Sequence, residues 1–264
     1  MKRDFITILT VAVLTLTTIC TVKGQSVIIM ETDQKNVNFS LSGSGKVTID
    51  WGEGKPKKST VGKNTKFKHK YKSNTKRTIT ITGNYIAELD CSHNTLIGLD
   101  VSNNTELVNL YCYGNKLTYL DVSNNKVLRE LDCSQNTLTS LDVSQNPLLT
   151  TLDCIGLALT SLDVSKNTEL VILRCHMNQL TDLDLSNNKV LKILNCRNNQ
   201  LSDIALNEIL KSLPINEEGI KLGPDFDIIN RENVPEYCID NNPGTAGCDE
   251  SIMDHKGWLR VKIR

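Results

Sequence analysis

The sequence has few of the residue types from which active sites and nucleic-acid interfaces are built. It contains four histidines, two tryptophans and four phenylalanines among 264 residues, and its formal net charge is zero. No nucleophile motif, phosphate-binding glycine loop or closely spaced set of histidines occurs, so neither catalysis nor a bound cofactor is expected. The lysine-rich stretch near the N-terminus lacks interleaved stacking aromatics, which argues against nucleic acid as a partner.

Charge is balanced over the whole chain but not along it. Residues 25–85 hold twelve Lys and Arg against four Asp and Glu, whereas residues 86–200 hold eight against thirteen. A basic block beside an acidic one favours end-to-end contacts or binding to an anionic surface. A solvated, lysine-rich β-module explains the same pattern without any partner and is the favoured interpretation.

Long apolar runs are scarce, and the one at the N-terminus has the features of a processed leader. The basic pair Lys2 and Arg3 precedes a mostly apolar segment over 5–19, and small residues suit a cleavage site just before Gln25. The apolar segment is too short to span a membrane comfortably. We therefore predict a secretory signal peptide over 1–24 and an exported mature chain, secreted, periplasmic or at the cell surface, without a transmembrane segment.

Cys20 within this leader introduces an alternative. A cysteine at this place suits lipoprotein anchoring, but Ile19 occupies the position where lipoprotein signals favour Gly, Ala or Ser. Cleavage before Gln25 is the favoured prediction.

Six of the nine cysteines recur with a constant spacing of 21 residues. They are Cys91, Cys112, Cys133, Cys154, Cys175 and Cys196. A fixed period of about 20–50 residues is typical of a solenoid built from stacked copies of one supersecondary unit. One half of the unit reads Leu-x-Cys-x-x-Asn-x-Leu, as in 110–117, and the other reads Leu-Asp-Val-Ser-x-Asn-x-x-Leu, as in 120–128.

Each unit is predicted to form one coil with two extended segments and two corners, stacked on its neighbours by parallel backbone pairing. Alternation within Leu-x-Cys and Leu-x-Val places Leu, Cys and Val inside the coil. Asparagines are predicted to satisfy backbone groups at the corners. One corner carries Asn94, Asn115, Asn136, Asn178 and Asn199, and the other carries Asn104, Asn125, Asn146, Asn167 and Asn188. Leu157 takes the place of one corner asparagine.

The repeating cysteines are predicted to be a packing device. Thiols in register have parallel Cβ vectors, whereas a disulfide needs converging vectors and a dihedral angle of about 90°. Metal binding by the column would bury several negative charges without nearby cations. A buried thiol is instead a small hydrophobe that fits where leucine would crowd the opposite wall.

The outward residues of the Leu-Asp-Val-Ser half are the same in every coil. They are Asp100, Asp121, Asp142, Asp163 and Asp184, each followed two positions later by a serine. Carboxylates one coil apart repel each other, and hydrogen bonds to hydroxyls or bridging by Ca²⁺ would relieve the repulsion. Hydrogen bonding is the favoured interpretation, and calcium binding is the alternative.

The outward residues around Leu-x-Cys vary from coil to coil. Variation on a fixed scaffold is typical of a recognition surface, although neutral drift also produces it. The candidate ligand-binding residues are Tyr111, Tyr113, Asp132, Asp153, Ile155, Arg174, His176, Met177 and Arg197. The expected partner is a protein or a glycan outside the cell.

The stretch before the repeats is rich in short β-type runs separated by turn residues. The predicted strands are Val27–Met30, Val37–Leu41, Val47–Trp51 and Arg77–Thr82. The Trp51-Gly52-Glu53-Gly54 turn, with His69-x-Tyr71 after it, resembles PKD-like modules of bacterial surface proteins, which implies a small β-sandwich over 25–85. Trp51 is predicted to be a core residue before it is a carbohydrate-stacking one.

The repeat pattern breaks near Ser202, and residues 202–264 are predicted to form an α/β cap over the end of the solenoid. An amphipathic helix ended by Pro214 comes first. Its apolar positions are Ile204, Leu206, Ile209, Leu210 and Leu213. Strands at Gly219–Leu222, Tyr237–Asp240 and Leu259–Ile263 and a short helix at Asp249–His255 complete the prediction. Cys238 and Cys248 are candidates for a disulfide in an exported protein.

The repeat as a whole resembles the cysteine-ladder leucine-rich repeats of certain internalins and of other bacterial cell-surface proteins. The resemblance covers about 86–201 and implies a mainly β protein, with a leucine-rich-repeat solenoid of parallel 21-residue coils between the 25–85 module and the 202–264 cap. It also implies a non-enzymatic adhesin or surface binding protein. A structural surface spacer, or an accessory module of a carbohydrate-utilisation system without its own ligand, is the alternative.

Overall fold

The computed structural model describes residues 25–215, 236–249, 251, 256, 259 and 260. The predicted signal peptide and Cys20 lie outside the described residues, as do the predicted strand Gly219–Leu222 and most of the predicted helix Asp249–His255. In the part of the chain that is described, no helix has both the length and the apolar character needed to cross a bilayer.

The N-terminal part is an antiparallel sheet. Its strands are β1 (Ser26–Thr32), β2 (Asn36–Asp50), β3 (Lys57–Val61), β4 (Thr65–Lys70), β5 (Arg77–Asp90) and, from the first coil, β6 (Leu96–Asp100). β5 lies between β1 and β2, and β6 pairs with the outer edge of β1. β4 and β3 pair with successive halves of the other edge of β2. The sheet therefore connects the module to the first coil on one side and ends in two short edge strands on the other.

Two features of this sheet differ from the sequence prediction. The predicted strands Val37–Leu41 and Val47–Trp51 are, except for Trp51, parts of the single long strand β2, which bends between them at register irregularities. Gly43 lies at the bend, where a Cβ would come within 2.2 Å of the Tyr85 carbonyl oxygen, so glycine allows the close approach of β2 to β5. β3 and β4 escaped prediction because exposed lysines interrupt their apolar residues.

The aromatic residues of the Trp51 and His69-x-Tyr71 motif pack together in this sheet. Trp51 is 5% exposed and stacks on the His69 ring with 4.7 Å between centroids. The Tyr71 hydroxyl donates to the Trp51 carbonyl oxygen over 2.7 Å. The burial of Trp51 confirms its prediction as a core residue, whereas the PKD-like sandwich itself stays a prediction.

The repeats form a solenoid joined by one parallel ladder, as the period predicts. Residues 88–90 of β5 begin the ladder, so β5 crosses the predicted boundary at residue 85 and belongs to both the module and coil one, the coil of Cys91. The later coils add β7 (Asn109–Tyr111), β8 (Glu130–Asp132), β9 (Thr151–Asp153), β10 (Ile172–Arg174) and β11 (Ile193–Asn195). The strands pair in register, with Leu131 opposite Leu110 and Leu152.

The Leu-Asp-Val-Ser half does not form the second stacked strand that the sequence predicts. After β6, no strand occurs in this half over the described residues 101–201. In coil one the Asn104 N–H donates to the Val101 carbonyl, and the Leu107 N–H donates to the Asn104 carbonyl, and the later coils repeat both bonds. These turns and the amide of Asn125 occupy the Val101 and Asn104 carbonyls, and the predicted parallel backbone pairing of this half was wrong.

Inside the coils, leucines, valines and thiols form continuous buried columns. Leu110, Cys112, Leu117, Val122 and Leu128 of coil two are all 0% exposed. Complete burial of a Leu or Val side chain contributes about 1.5–3 kcal/mol, so each coil adds a similar increment of stability. One coil cannot bury this surface alone, which makes the coils depend on their neighbours.

The described part of the cap begins with the predicted helix. α1 (Asp203–Ser212) starts at Ser202, whose hydroxyl accepts from the Ala205 N–H, and it ends before Pro214. The helix buries its apolar face against the last coil, except that Ile204 is 72% exposed, contrary to its predicted place on that face.

The ladder continues beyond the sixth coil. β12 (Glu236–Cys238) pairs in parallel with β11, and β13 (Leu259–Arg260) pairs with β12, close to two of the predicted strands. The Cys238 side chain lies outside the described residues, so the disulfide between Cys238 and Cys248 stays a prediction.

Asparagine hydrogen bonds like those at the corners also join the solenoid to the N-terminal sheet and to the cap. At the C-terminal end, Asn242 Nδ2 donates to the Cys196 carbonyl, and its Oδ1 accepts from the Asn199 N–H. At the N-terminal end, Asn94 Nδ2 donates to the Asn38 carbonyl of β2, and Asn94 Oδ1 accepts from the Asn38 N–H. The module and the cap are therefore attached through the bonds that join one coil to the next.

Candidate binding face on the strand side of the coils

The cysteine column lies directly beneath the strands. The six ladder cysteines are fully buried, and Cys91, Cys112, Cys133, Cys154 and Cys175 form no disulfide. Burial raises the pKa of Cys112 and Cys154 well above the usual value of a thiol, and it raises the pKa of Cys175 to about 12. These thiols are protonated at neutral pH and act as packing groups.

A column of asparagine amides supports the corner that follows each cysteine. Asn115 Nδ2 donates to the Cys112 carbonyl of its own coil over 2.8 Å and to the Cys91 carbonyl of the preceding coil over 3.1 Å. Its Oδ1 accepts from the N–H groups of Asn94 and Leu96, at 3.0 and 2.9 Å. This confirms the predicted role of the corner asparagines. Leu157 in coil four has no amide with which to make such bonds.

The second asparagine column is less completely bonded. Asn125 Nδ2 donates to the Val101 and Asn104 carbonyls of the preceding coil, at 3.1 and 2.8 Å. Its Oδ1 is buried and has no hydrogen-bond partner within the described residues, and the same holds for Asn146 and Asn167. The two corners of a coil are therefore stabilised to different degrees.

The repeated aspartates of the Leu-Asp-Val-Ser half cap tight turns. Asp121 Oδ1 accepts from the Ser123 N–H over 2.9 Å, and Asp142, Asp163 and Asp184 each make the equivalent bond over 2.8 Å. Hydrogen bonds from the backbone and hydroxyl of the following serine lower the pKa of these four carboxyls. The described residues contain no group of three or more His, Cys, Asp or Glu placed to hold a metal. Calcium binding by this column stays an untested alternative.

The strand face consists of the outward side chains of β5 and β7–β11 together with the two residues after each ladder cysteine. The predicted residues fall into two of its rows and one corner. The strand row contains Tyr111, Asp132, Asp153 and Arg174, and the row after the cysteines contains Tyr113, Ile155, His176 and Arg197, with Met177 at the corner. Register pairing makes Tyr111, Asp132 and Asp153 direct neighbours in successive coils.

Polar contacts between coils fix several of these side chains. The Tyr111 hydroxyl donates to Glu130 Oε2 over 2.5 Å. Arg174 Nη1 lies 3.0 and 3.1 Å from the two carboxylate oxygens of Asp153. Burial raises the pKa of Asp153, although the Arg174 charge opposes that rise. A partly exposed ion pair of this kind adds only about 0–1 kcal/mol of stability, so its main effect is to orient the arginine.

The second residue after each cysteine adopts a left-handed backbone conformation. These residues are His93, Gly114, Gln135, Gly156, Met177 and Asn198, and all have a positive φ. Glycine adopts this conformation freely, whereas other residues lose about 1–2 kcal/mol. Met177 has a φ of 59° and is 54% exposed, so a long apolar side chain is held outward at a position suited to glycine.

His176 is not the exposed face residue that the sequence predicts. It is 9% exposed, and its Nδ1 is buried without a hydrogen-bond partner in the described structure. Burial, with the charges of Arg197 and Arg174, lowers its pKa to about 4, so the ring is neutral at physiological pH. Ser134, in the same row, is also buried. The chain turns into the corner at this row, which covers some of its members.

One row of the face was missed in the sequence. The residues just before each ladder leucine also point outward and are half-buried in the sheet. They are Glu88, Asn109, Glu130, Thr151, Ile172 and Ile193. Counting the strand alternation backwards from the leucine would have identified them.

Comparisons with known proteins find similar structures. No family model and no curated protein matches the chain. The functional domain of InlJ from Listeria monocytogenes, which includes a cysteine ladder, is 30% identical, with 64% of this chain and 47% of that chain covered and a TM-score of 0.40. The internalin InlF from the same organism is 21% identical, with coverages of 62% and 50% and a TM-score of 0.46. A leucine-rich-repeat protein from Leptospira interrogans is 22% identical, with coverages of 61% and 38% and a TM-score of 0.48. The chain thus spans half or less of each of these structures.

Proposed function

We propose that this chain is a non-enzymatic, exported binding protein that recognises a protein partner through the strand face. The supporting observation is a contrast within each coil. The buried columns and the Asp-Ser turns repeat from coil to coil, whereas each outward row of the strand face contains several residue types. If the coils needed only to stack, one outward residue could recur in every coil on the strand half, as aspartate does on the Asp-Ser half.

The chemistry of the varied residues suits protein recognition. Tyrosine, arginine and methionine are enriched at protein interfaces, and the face presents Tyr111, Arg174 and Met177. Glu130 holds the Tyr111 hydroxyl and Asp153 holds the Arg174 guanidinium before any partner arrives. Side chains ordered in advance lose less conformational entropy on binding, which favours affinity.

The face also has a charge gradient along the solenoid. Glu88, Asp90 and Asp132 lie towards its N-terminal end, and Arg174 and Arg197 lie towards its C-terminal end. A partner with the opposite gradient would bind in one orientation, and its association rate would fall as salt is added.

Retention on an array of extracellular proteins and glycans tests the proposal. The chain from Gln25 onward is compared with a variant carrying Tyr111→Ser, Ile155→Ser and Met177→Gly, all within the strand face. Loss of interface anchors typically costs about 2 kcal/mol or more each, so we expect at least a tenfold loss of retention on any identified protein. Met177→Gly also relieves the left-handed backbone, so it does not threaten folding.

Tyr119→Ser provides the matched control, because Tyr119 is 64% exposed but lies in the Leu-Asp-Val-Ser half. Equal retention of the face variant and the control would show that the strand face is not the binding surface. Retention on glycans alone would replace the protein partner with a glycan. Absence of any retention would favour the spacer or accessory-module alternative. Mass spectrometry of the mature N-terminus tests export separately, since a chain beginning at Gln25 carries no lipid on Cys20.

A further inference from the structure

A cleft of about 390 Å³ lies where the N-terminal sheet meets the first two coils. It falls within the size range of small-ligand sites, roughly 300–1,000 Å³. One wall comes from the sheet and the other from the coils. The lining residues include Lys66 and Lys68 on the sheet and Asp90, Ser92, His93 and Tyr113 on the coils.

Aromatic rings form part of the coil wall of the cleft. On the sheet, Phe67 stacks on its cross-strand partner Phe39 with 5.3 Å between centroids, on the face opposite to Lys66 and Lys68. On the coils, the His93 and Tyr113 rings meet edge to face with 4.3 Å between centroids. Gly114 makes this pair possible, because a Cβ there would lie 2.4 Å from His93 Nδ1.

The repeat frame does not require these aromatic residues. The residues equivalent to His93 and Tyr113 are Gly114 and Ser134 one coil on and Gln135 and Ile155 two coils on, so neither pair contains two rings. The residues lining the cleft therefore depart from the pattern that stacking imposes.

One polar group in the cleft is left without a partner. Ser92 Oγ is buried and makes no hydrogen bond within the described residues. The equivalent hydroxyl two coils later, on Ser134, accepts from the Ile155 N–H over 3.1 Å. The scaffold thus bonds the serine hydroxyl in coil three, whereas the Ser92 hydroxyl in coil one has no such bond. Buried polar groups normally have a partner, so an unused one that lines a cleft points to a ligand.

Charge in the cleft is predominantly positive. Lys66 and Lys68 stand exposed on β4, and the only carboxylate lining the cleft is that of Asp90. Asp90 Oδ1 already accepts from the Ser92 N–H over 3.1 Å, so one of its oxygens is committed to the scaffold.

We propose that this cleft binds an acidic saccharide, a pyranose unit that carries a carboxylate. The Tyr113 ring offers an apolar surface for the C–H face of the sugar. Ser92 and Asp90 offer hydrogen bonds to its hydroxyls, and the Lys66 and Lys68 ammonium groups pair with its carboxylate. The coil side of this cleft is the N-terminal end of the strand face, but the proposal concerns a small acidic ligand and holds whether or not the rest of the face binds a protein.

Titration calorimetry and amide NMR with trigalacturonic acid test this proposal on the chain from Gln25 onward. The trimethyl ester of the same trisaccharide serves as the uncharged probe. We expect a Kd of about 1 mM or tighter for the acid, or about 4 kcal/mol of binding free energy. The ester should bind about fivefold or more weakly, because it cannot pair with the lysines. The largest amide shifts should fall at Ser92 and Tyr113.

Three variants locate the binding. Lys66→Gln with Lys68→Gln should weaken the acid about fivefold and leave the ester unchanged. Ser92→Ala should weaken both probes by a similar factor, since it removes a neutral hydrogen bond. Lys57→Gln with Lys58→Gln on β3 removes the same charge from exposed positions outside the cleft and should have no effect.

Several results would overturn the proposal. One is the absence of trigalacturonate binding at about 10 mM, a Kd that corresponds to about 3 kcal/mol. Another is equal weakening by the Lys57 and Lys58 control pair, which would mean unspecific charge attraction. A third is equal binding of triglutamate, a peptide of the same charge, which would make the cleft an acidic-peptide site. Thermal melting of each variant verifies that it is folded.

Discussion

The two halves of each coil have similar sequences but are stabilised by different hydrogen bonds. Both begin with Leu-x-hydrophobe and end in a corner asparagine. On the strand side, the backbone pairs with the next coil and the asparagine uses both its donor and its acceptor, as Asn115 does. On the Asp-Ser side, local turns replace the ladder, and Asn125 uses only its donor.

The difference between the halves explains where variation is tolerated. Where the backbone ladder and the amide column hold the coils together, outward side chains are not needed for structure and can differ. On the Asp-Ser side, outward aspartates such as Asp121 and Asp142 are needed to cap turns, so they stay the same. Side chains are free for recognition only where the backbone carries the structure.

The largest expected effect concerns the thiols, which lie only beneath the strand side. Burial raises the pKa of five of them, so in the folded state they remain protonated at pH values where unfolded thiols ionise. Stability from these groups is therefore complete below the unfolded thiol pKa of about 8.5 and falls above it. Each thiol contributes about 1.4 kcal/mol per pH unit, or roughly 7 kcal/mol per unit for five. We predict steep alkaline unfolding between about pH 9 and 10.5, measured by circular dichroism.

A variant with Cys112→Ala, Cys133→Ala and Cys154→Ala isolates this effect from tyrosine and lysine titration. Its loss of stability per pH unit should fall to about two-fifths of the wild-type value, even if its stability at pH 7 is lower. An unchanged pH dependence would show that the thiols are not the groups responsible.

The next largest effect is the difference in stability cost between the two asparagine columns, which can be measured within coil two. Asn115→Leu removes an amide whose donor and acceptor are both bonded and should cost about 3–5 kcal/mol of unfolding free energy. Asn125→Leu removes an amide that only donates and should cost about 1–3 kcal/mol. Urea denaturation measures both values. Equal costs would mean that the acceptor bonds from Asn94 and Leu96 contribute nothing.

The smallest effect is a repair of the one irregular coil. Leu157→Asn restores an amide at the corner where neighbouring coils use it, between the carbonyls of Cys133 and Cys154 and the N–H of Leu138. We expect a gain of about 1 kcal/mol in unfolding free energy by urea denaturation, because the new bonds exceed the loss of a leucine that is already 8% exposed. A loss of stability would show that coil four has repacked around Leu157.

Elements fixed by the repeat could be predicted from the sequence, and elements fixed by tertiary contact could not. The 21-residue period identified the ladder, the thiol column and the corner asparagines, because each position meets its own copy in the next coil. The Leu-x-Val alternation predicted a strand in the other half, but short-range bonds such as that from Asn104 to Val101 prevailed. β3 and β4 were not predicted because lysines interrupt the apolar pattern of their sequences.

The predictions for the candidate site succeeded and failed for the same reason. Alternation placed Tyr111 and Arg174 outward correctly, because the strand sets their direction. It failed at His176, where the corner covers the side chain. The cleft beside Ser92 could not be inferred at all, since it depends on how β4 lies against coils that are distant from it in sequence.

The bonds of Asn94 and Asn242 have a consequence for how the molecule can change in length. Both ends of the solenoid attach through the contact that already joins any two coils. A block of 21 residues added or removed between Cys112 and Cys175 therefore leaves both attachments intact. Such a chain can lengthen or shorten its strand face in whole steps while its two terminal modules stay unaltered.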